Sequence, residues 1–467
     1  MIRVIFADMR SSARVWLGAT IVVAVAAFAS IIPAVLIDAG ARALSSGGAF
    51  VLGGSLDDVD PASLAGLALI SIASTIIVLT SIATIVVLGS IMRLTVSLRR
   101  RSYALWQTIG ISPAQVRLIV LAQLLVVSLI GSVIGALVGS VIVPALATAA
   151  LQGSNGVDTF SLAGSPISAA PVVAFVVVVA MLGGAPAARR ASRTRPLEVL
   201  RESPAIRRAR RWPRWVAAAI IVALVAQLLA TLPASVANGT GSQSILIGPL
   251  LVAATALLGP VIFAPVMRWW TAIVPPTASA TWFIARANTL FAADRSSSIV
   301  ASLLIAVALP GSFAAGQATS GAAAAIIRDA AAAENPAGSL ALILGGPVLL
   351  AAAGAAAATV MSSGARAREA ALLTAAGAAP GFSIRTALGE GVIQVGTAAV
   401  LALALVAVTA GSQALVLAPI APGVLPDFAW PIVFGTLGIT TLGILLATLV
   451  PTLATRNQVV PSALSSE

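Results

Sequence analysis

The chain has 467 residues, 59% of them hydrophobic and only 9% charged, with a net charge of +12 and neither cysteine nor histidine. Soluble globular proteins carry about 25% charged residues, so a soluble fold is excluded. The absence of cysteine and histidine also excludes disulfides, thiol nucleophiles, imidazole bases and His/Cys metal sites, and no metal site is expected.

Ten apolar segments, at about 15–37, 65–92, 116–147, 166–186, 214–233, 244–267, 298–320, 339–361, 385–417 and 429–452, have the length that crosses a bilayer. The first follows a basic flank, MIRVIFADMRSSARVW, and Ala39-Gly40-Ala41 resembles a cleavage site. Its apolar run exceeds the ~7–15 residues of a signal peptide, so it reads as an uncleaved span. An even number of spans puts both termini on one side. All 27 basic residues are arginine, and with the termini in the cytoplasm only Arg42 and Arg328 fall outside. Asp38, Asp57, Asp58, Asp60, Asp158, Asp329, Glu334 and Asp427 are all external. Arginine bias in short loops is the established orientation signal. The positive charge therefore faces anionic lipid and cytoplasmic partners, and nucleic acid is not expected.

The second, third and ninth segments are longer than a span needs; residues 65–92 make about 42 Å of helix against a core of ~30 Å. The external connection Asp38–Leu64 is rich in Gly, Ser and Asp and reads as a flexible loop. The connection after the seventh segment, about Gly321–Ser339, is also short, so no large extracellular domain is expected. Pro33, Pro144, Pro260, Pro265 and Pro310 interrupt spans and are candidate kinks. Gly131, Gly135 and Gly139 form a small-xxx-small face suited to close helix packing.

Arg99–Gly139 recurs in degenerate form as Arg366–Val406: Arg101 falls on Arg368, Leu105 on Leu372, Gly110 on Gly377, Pro113 on Pro380 and Gln123 on Glu390. The openings FADMRSS (6–12) and FAADRSS (291–297) also correspond. The expected fold is an all-α integral membrane protein of about ten transmembrane helices arranged 4 + 2 + 4, with pseudo-two-fold duplicated halves. Residues 1–211 form the first half, 212–280 two linking helices, and 281–467 the second half.

Within the repeat, Leu98, Arg101, Leu105, Thr108 and Ile109 recur at helical spacing and predict a short amphipathic helix over 98–109. Gly110 supplies a left-handed terminus, and Ser112-Pro113 the N-cap and first-turn proline of the following span. Gly377 and Pro380 keep that corner in the second copy, where Ala379 replaces the capping hydroxyl. Such an elbow can pass a push from a cytoplasmic motor into the membrane. A plain interfacial helix, with Tyr103 and Trp106 in the aromatic belt, is the simpler alternative for a single copy. Two copies favour the elbow.

These residues resemble the FtsX-like permease family, the membrane subunits of MacB-, Lol- and Bce-type ABC transporters. Arg368-Glu369-Ala370-Ala371-Leu372-Leu373-Thr374-Ala375-Ala376-Gly377-Ala378 matches its E-x-A-L-L-x-A-L-G-A pattern closely, and Arg101–Ile111 more loosely. Ala185–Arg190 with Arg195–Leu200 resembles its exit motif, whereas Pro451–Arg456 is an eroded version. The resemblance implies that Arg101, Leu105, Trp106, Gly110 and Pro113, with Arg368, Leu372, Leu373, Gly377 and Pro380, couple to a separate cytoplasmic ABC ATPase, in two copies, which would bind ATP and Mg. The chain contains no lysine and so no phosphate-loop motif of its own. It has no catalytic residue and binds no cofactor itself. Gln123 and Glu390 are intramembrane polar residues. Glu390 fits the family glutamate, and either a functional role or a structural partner such as Arg385 or Arg117 would explain it.

The expected function is the permease subunit of an ATP-driven exporter in the bacterial plasma membrane, moving an amphiphilic substrate such as a drug, peptide antibiotic or lipid. The alternative is a mechanotransmission or signalling subunit that controls an extracytoplasmic partner. A secondary transporter would need several paired charges near the midplane, and the sequence offers only Glu390.

Overall fold

The computed structural model describes residues 13–46, 61–151, 166–192, 212–238, 243–328 and 337–455, apart from 276, 278, 365–371, 373–376 and 380. The described residues are almost entirely helical: α1 (Ala13–Ser46), α2 (Pro61–Leu98), α3 (Arg100–Thr108), α4 (Pro113–Leu151), α5 (Pro166–Ser192), α6 (Trp212–Ala237), α7 (Ser244–Leu257), α8 (Gly259–Thr271), α9 (Ala280–Phe291), α10 (Ala293–Arg328), α11 (Ala337–Met361), α12 (Phe382–Leu417) and α13 (Trp430–Thr455). Nine of these are long and apolar enough to cross a membrane, and the bent pair α7–α8 makes a tenth if counted as one span. The chain is a multi-pass, all-α membrane protein.

One candidate kink is realised and one boundary needs correction. The sixth segment is not one straight span. It breaks at Leu258, with an 86° angle between α7 and α8. Pro260 explains the break, because it lacks an N–H and its ring clashes with the carbonyl four residues back. Pro33, Pro144, Pro265 and Pro310 lie inside continuous helices. The external loop also begins later than its composition suggests, since α1 continues through Asp38 to Ser46. There Asp38 pairs with Arg42 at 3.1 Å across one turn, and Gly40 meets the backbone of Gly66 in α2. Asp57, Asp58 and Asp60 lie outside the described residues.

Packing follows the same plan in both halves. In the first, α1 packs on α2, α4 and α5, and α5 packs on α2 and α4. In the second, α10 packs on α11, α12 and α13, and α13 packs on α11 and α12. The two sets meet along a seam, in which α1 lies on α11, α2 on α10, and α2 on α11. α4 also touches α11 across the seam, with no comparable contact between α2 and α12, so the seam is not fully reciprocal. Across the seam Ser298 Oγ donates to the Ser90 carbonyl at 3.4 Å. One apolar core runs through it, from Val87, Leu88 and Ile91 to Leu303, Leu304, Ala355 and Ala358.

The expected small-residue face is used for close packing inside the first half. Gly131, Gly135 and Gly139 of α4 lie against α1, at Thr20 and Val23, Ala24, and Ile31 respectively. Linking helices α6 and α7 pack on α10 and α12. α10 is consequently buried along its apolar length, while its counterpart α1 leaves Leu17 and Ile21 exposed.

Candidate functional site

The first elbow is built as its residues require. α3 is a nine-residue helix closed by Gly110, whose φ of +97° is costly for any residue with a Cβ. Ser112 then caps α4. Its Oγ accepts from Gln115 N at 3.3 Å, and Gln115 Oε1 accepts from Ser112 N at 2.9 Å, a reciprocal capping box. Pro113 is the first residue of α4, where its missing N–H costs nothing. The corner itself is thus set by local interactions.

One side of α3 is anchored in the bundle. Tyr103 is fully buried, which removes it from the aromatic belt of the simpler reading. Its hydroxyl points at Gln123 Oε1 of α4 at 3.5 Å, longer than an ordinary O–H···O hydrogen bond and so a weak polar contact. Trp106 packs edge-on against the Tyr103 ring with centroids 5.4 Å apart. Gln107 Nε2 donates to the Ser192 carbonyl at the end of α5, at 3.2 Å. Arg99, buried between α2 and α3, places its guanidinium 5.5 Å from the Trp16 ring centre and 5.6 Å from that of Tyr103. These cation–π contacts join the inner ends of α1, α2 and α3.

The other side is free. Leu105 is 45% exposed and Ile109 79% exposed, so the elbow presents an apolar tip beside its buried anchor. The side chain of Arg101 lies outside the described residues, although its backbone is in α3.

The second elbow is only partly described. Arg368, Leu373 and Pro380 fall outside the described residues. Leu372 is exposed, and Gly377 has a φ of +89°. The corner differs in one respect: α12 starts at Phe382, with Gly381 as a left-handed N-cap at φ +88° and no side-chain cap. Ala379 offers no capping hydroxyl to this helix start.

Gln123 and Glu390, which align in the repeat, are both buried. Glu390 Oε2 pairs with Arg295 Nη2 of α10 at 3.4 Å, and Oε1 accepts from Asn288 Nδ2 of α9 at 3.2 Å. The partner is thus Arg295, not Arg385 or Arg117, which stay exposed. Sequence reasoning assigned no role to Arg99, Asn288 or Arg295. A signal for Arg295 was present, since it sits in the FAADRSS opening that aligns with FADMRSS. Among the described residues no group of three or more His, Cys, Asp or Glu side chains could hold a metal.

Residues 71–196 match the family model of the FtsX-like permease C-terminal domain. The match runs from within α2 through the elbow to just past α5. No curated protein and no solved structure shows significant similarity to the chain.

Proposed function

From the premise that residues 71–196 form an FtsX-like permease domain, we propose that this chain is the membrane subunit of an ATP-driven ABC transporter, with both elbows docking on separate cytoplasmic ATPase subunits. The observation that carries this reading is the two-sided α3. Tyr103 and Gln107 fix it to α4 and α5, while Leu105 and Ile109 are exposed at its tip. Exposed apolar residues on a rigid support suit docking into a pocket of a partner. A push on Leu105 reaches α4 through the Gly110 corner and the Tyr103–Gln123 contact, and α4 in turn is packed glycine-to-backbone on α1.

Both elbows belong to one chain, so one copy of it takes two ATPases, which bring ATP and Mg. The arginine distribution supports cytoplasmic termini in a plasma membrane. The short external connections favour an amphiphilic substrate entering sideways from the bilayer, moved outward as the long helices swing. The test is copurification with the ATPase of the neighbouring reading frame, followed by ATP hydrolysis measurements in proteoliposomes. The reading expects a stable complex whose ATPase rate differs from that of the free ATPase. Failure of any ATPase to associate would reject it.

A further inference from the structure

The corner between α8 and α9 holds polar groups that the elbows do not use. α7 is about 21 Å long, short of the ~30 Å hydrocarbon core, before the chain turns through 86° into α8. α8 buries Gly259, Phe263, Met267 and Thr271, one per turn, on the side packed against α10 and α12. Arg268 and Trp269 are exposed at its end. From α9, Arg286 Nη2 donates to the Arg268 carbonyl at 3.4 Å. One turn earlier Trp282 meets Trp270 edge-on, with centroids 6.1 Å apart.

Two donors at this corner lack acceptors. Trp282 Nε1 and Arg286 Nε are buried atoms with no hydrogen-bond partner. Four residues apart on α9, they share one face. Buried N–H groups are nearly always satisfied, and one left unmade carries its full desolvation penalty. The ion pairs among the described residues are Arg42–Asp38 and Arg295–Glu390, so neither Arg268 nor Arg286 is neutralised there by a carboxylate. Exposed Trp269, Ile273 and Phe283 border the same corner.

We propose that this corner binds the phosphate of an anionic phospholipid from the cytoplasmic leaflet. The phosphate meets the exposed Arg268 side chain first, and a small outward shift of α9 opens the buried Trp282 Nε1 and Arg286 Nε to its oxygens, while the acyl chains lie over Trp269, Ile273 and Phe283. An acidic protein partner would satisfy the donors but make no use of the apolar side chains that border them. A lipid satisfies both. Basic pockets between spans on the cytoplasmic side are suited to such headgroups. α9 also carries Asn288, which holds Glu390, so an occupied corner steadies α9 against α12. The proposal does not rest on ATP coupling.

Native mass spectrometry of the full chain in detergent, with added phosphatidylglycerol or phosphatidylcholine, tests it. The expected result is retention of phosphatidylglycerol roughly tenfold above phosphatidylcholine. Arg268→Gln with Arg286→Gln removes that preference, Trp282→Phe weakens it, and Arg42→Gln at the outer end leaves it unchanged. Should the double variant not fold, Arg268→Gln alone, at an exposed side chain, is expected to lower it. Wild-type preference in the folded arginine variants overturns the proposal. So does displacement of the lipid by millimolar inorganic phosphate, which would make the occupant a free anion.

Discussion

Glu390 Oε2 and Arg295 Nη2 stand 3.4 Å apart, both almost fully buried, where the inner ends of α10 and α12 meet. Removing one member of a buried pair leaves the other charge without its partner, at a cost of about 3–5 kcal/mol, whereas an uncharged pair of similar volume is often neutral. Glu390→Ala should therefore lower the unfolding temperature in detergent strongly. Arg295→Met combined with Glu390→Gln should recover most of the loss, since the glutamine still accepts from Asn288. A double variant no better than Glu390→Ala would show that the charges themselves are required.

At the corner after α3, Gly110 acts through its backbone conformation and not through packing. A Cβ on Gly110 would meet nothing within 4 Å, yet its φ is +97°. Gly110→Ala should cost about 1–2 kcal/mol through that conformation, and Gly110→Asn less. If the elbow transmits force, both variants should lose ATPase-coupled transport in the same order. Transport that ignores the order would separate the turn from function.

At the elbow tips, Leu105→Asp with Leu372→Asp places two charges on the proposed docking faces. Both side chains are exposed, so the fold should be retained. Coupled transport in proteoliposomes should fall at least tenfold, about 1.4 kcal/mol of lost coupling. Undiminished transport and ATPase stimulation would remove the elbow assignment.

Gly135→Val tests the α1–α4 contact. A Cβ at Gly135 already overlaps the Ala24 carbonyl, and overpacking typically costs 1–3 kcal/mol or more. Gly438→Ala, on α13 with open space around it, should instead stabilise by up to about 1 kcal/mol through helix propensity. Thermal unfolding of the two variants side by side would check the contrast.

The spans were legible because hydropathy and length are strong signals. The first elbow was legible too, since Gly110, Ser112 and Pro113 act through local backbone chemistry. Tyr103 was not. Its aromatic ring beside arginines reads as interfacial, and only the fold brings Gln123 and Arg99 around it. The Glu390 partner was missed for a similar reason: Arg385 is near in sequence, while Arg295 lies on another helix. The break at Leu258 rested on one proline among several, and propensity alone does not say which proline will bend a helix that neighbours can support.

The seam between the halves also bears on biosynthesis. α1 and α2 leave the ribosome long before α10 and α11, and synthesis of the chain from Leu98 to Met361 takes on the order of tens of seconds at ~5–20 residues per second. Throughout that interval the faces of Leu88, Ile91 and Ser90 have only lipid, an insertion factor or a second nascent chain to lie against. The seam therefore closes late, after the first helices have waited in the membrane for α10 and α11.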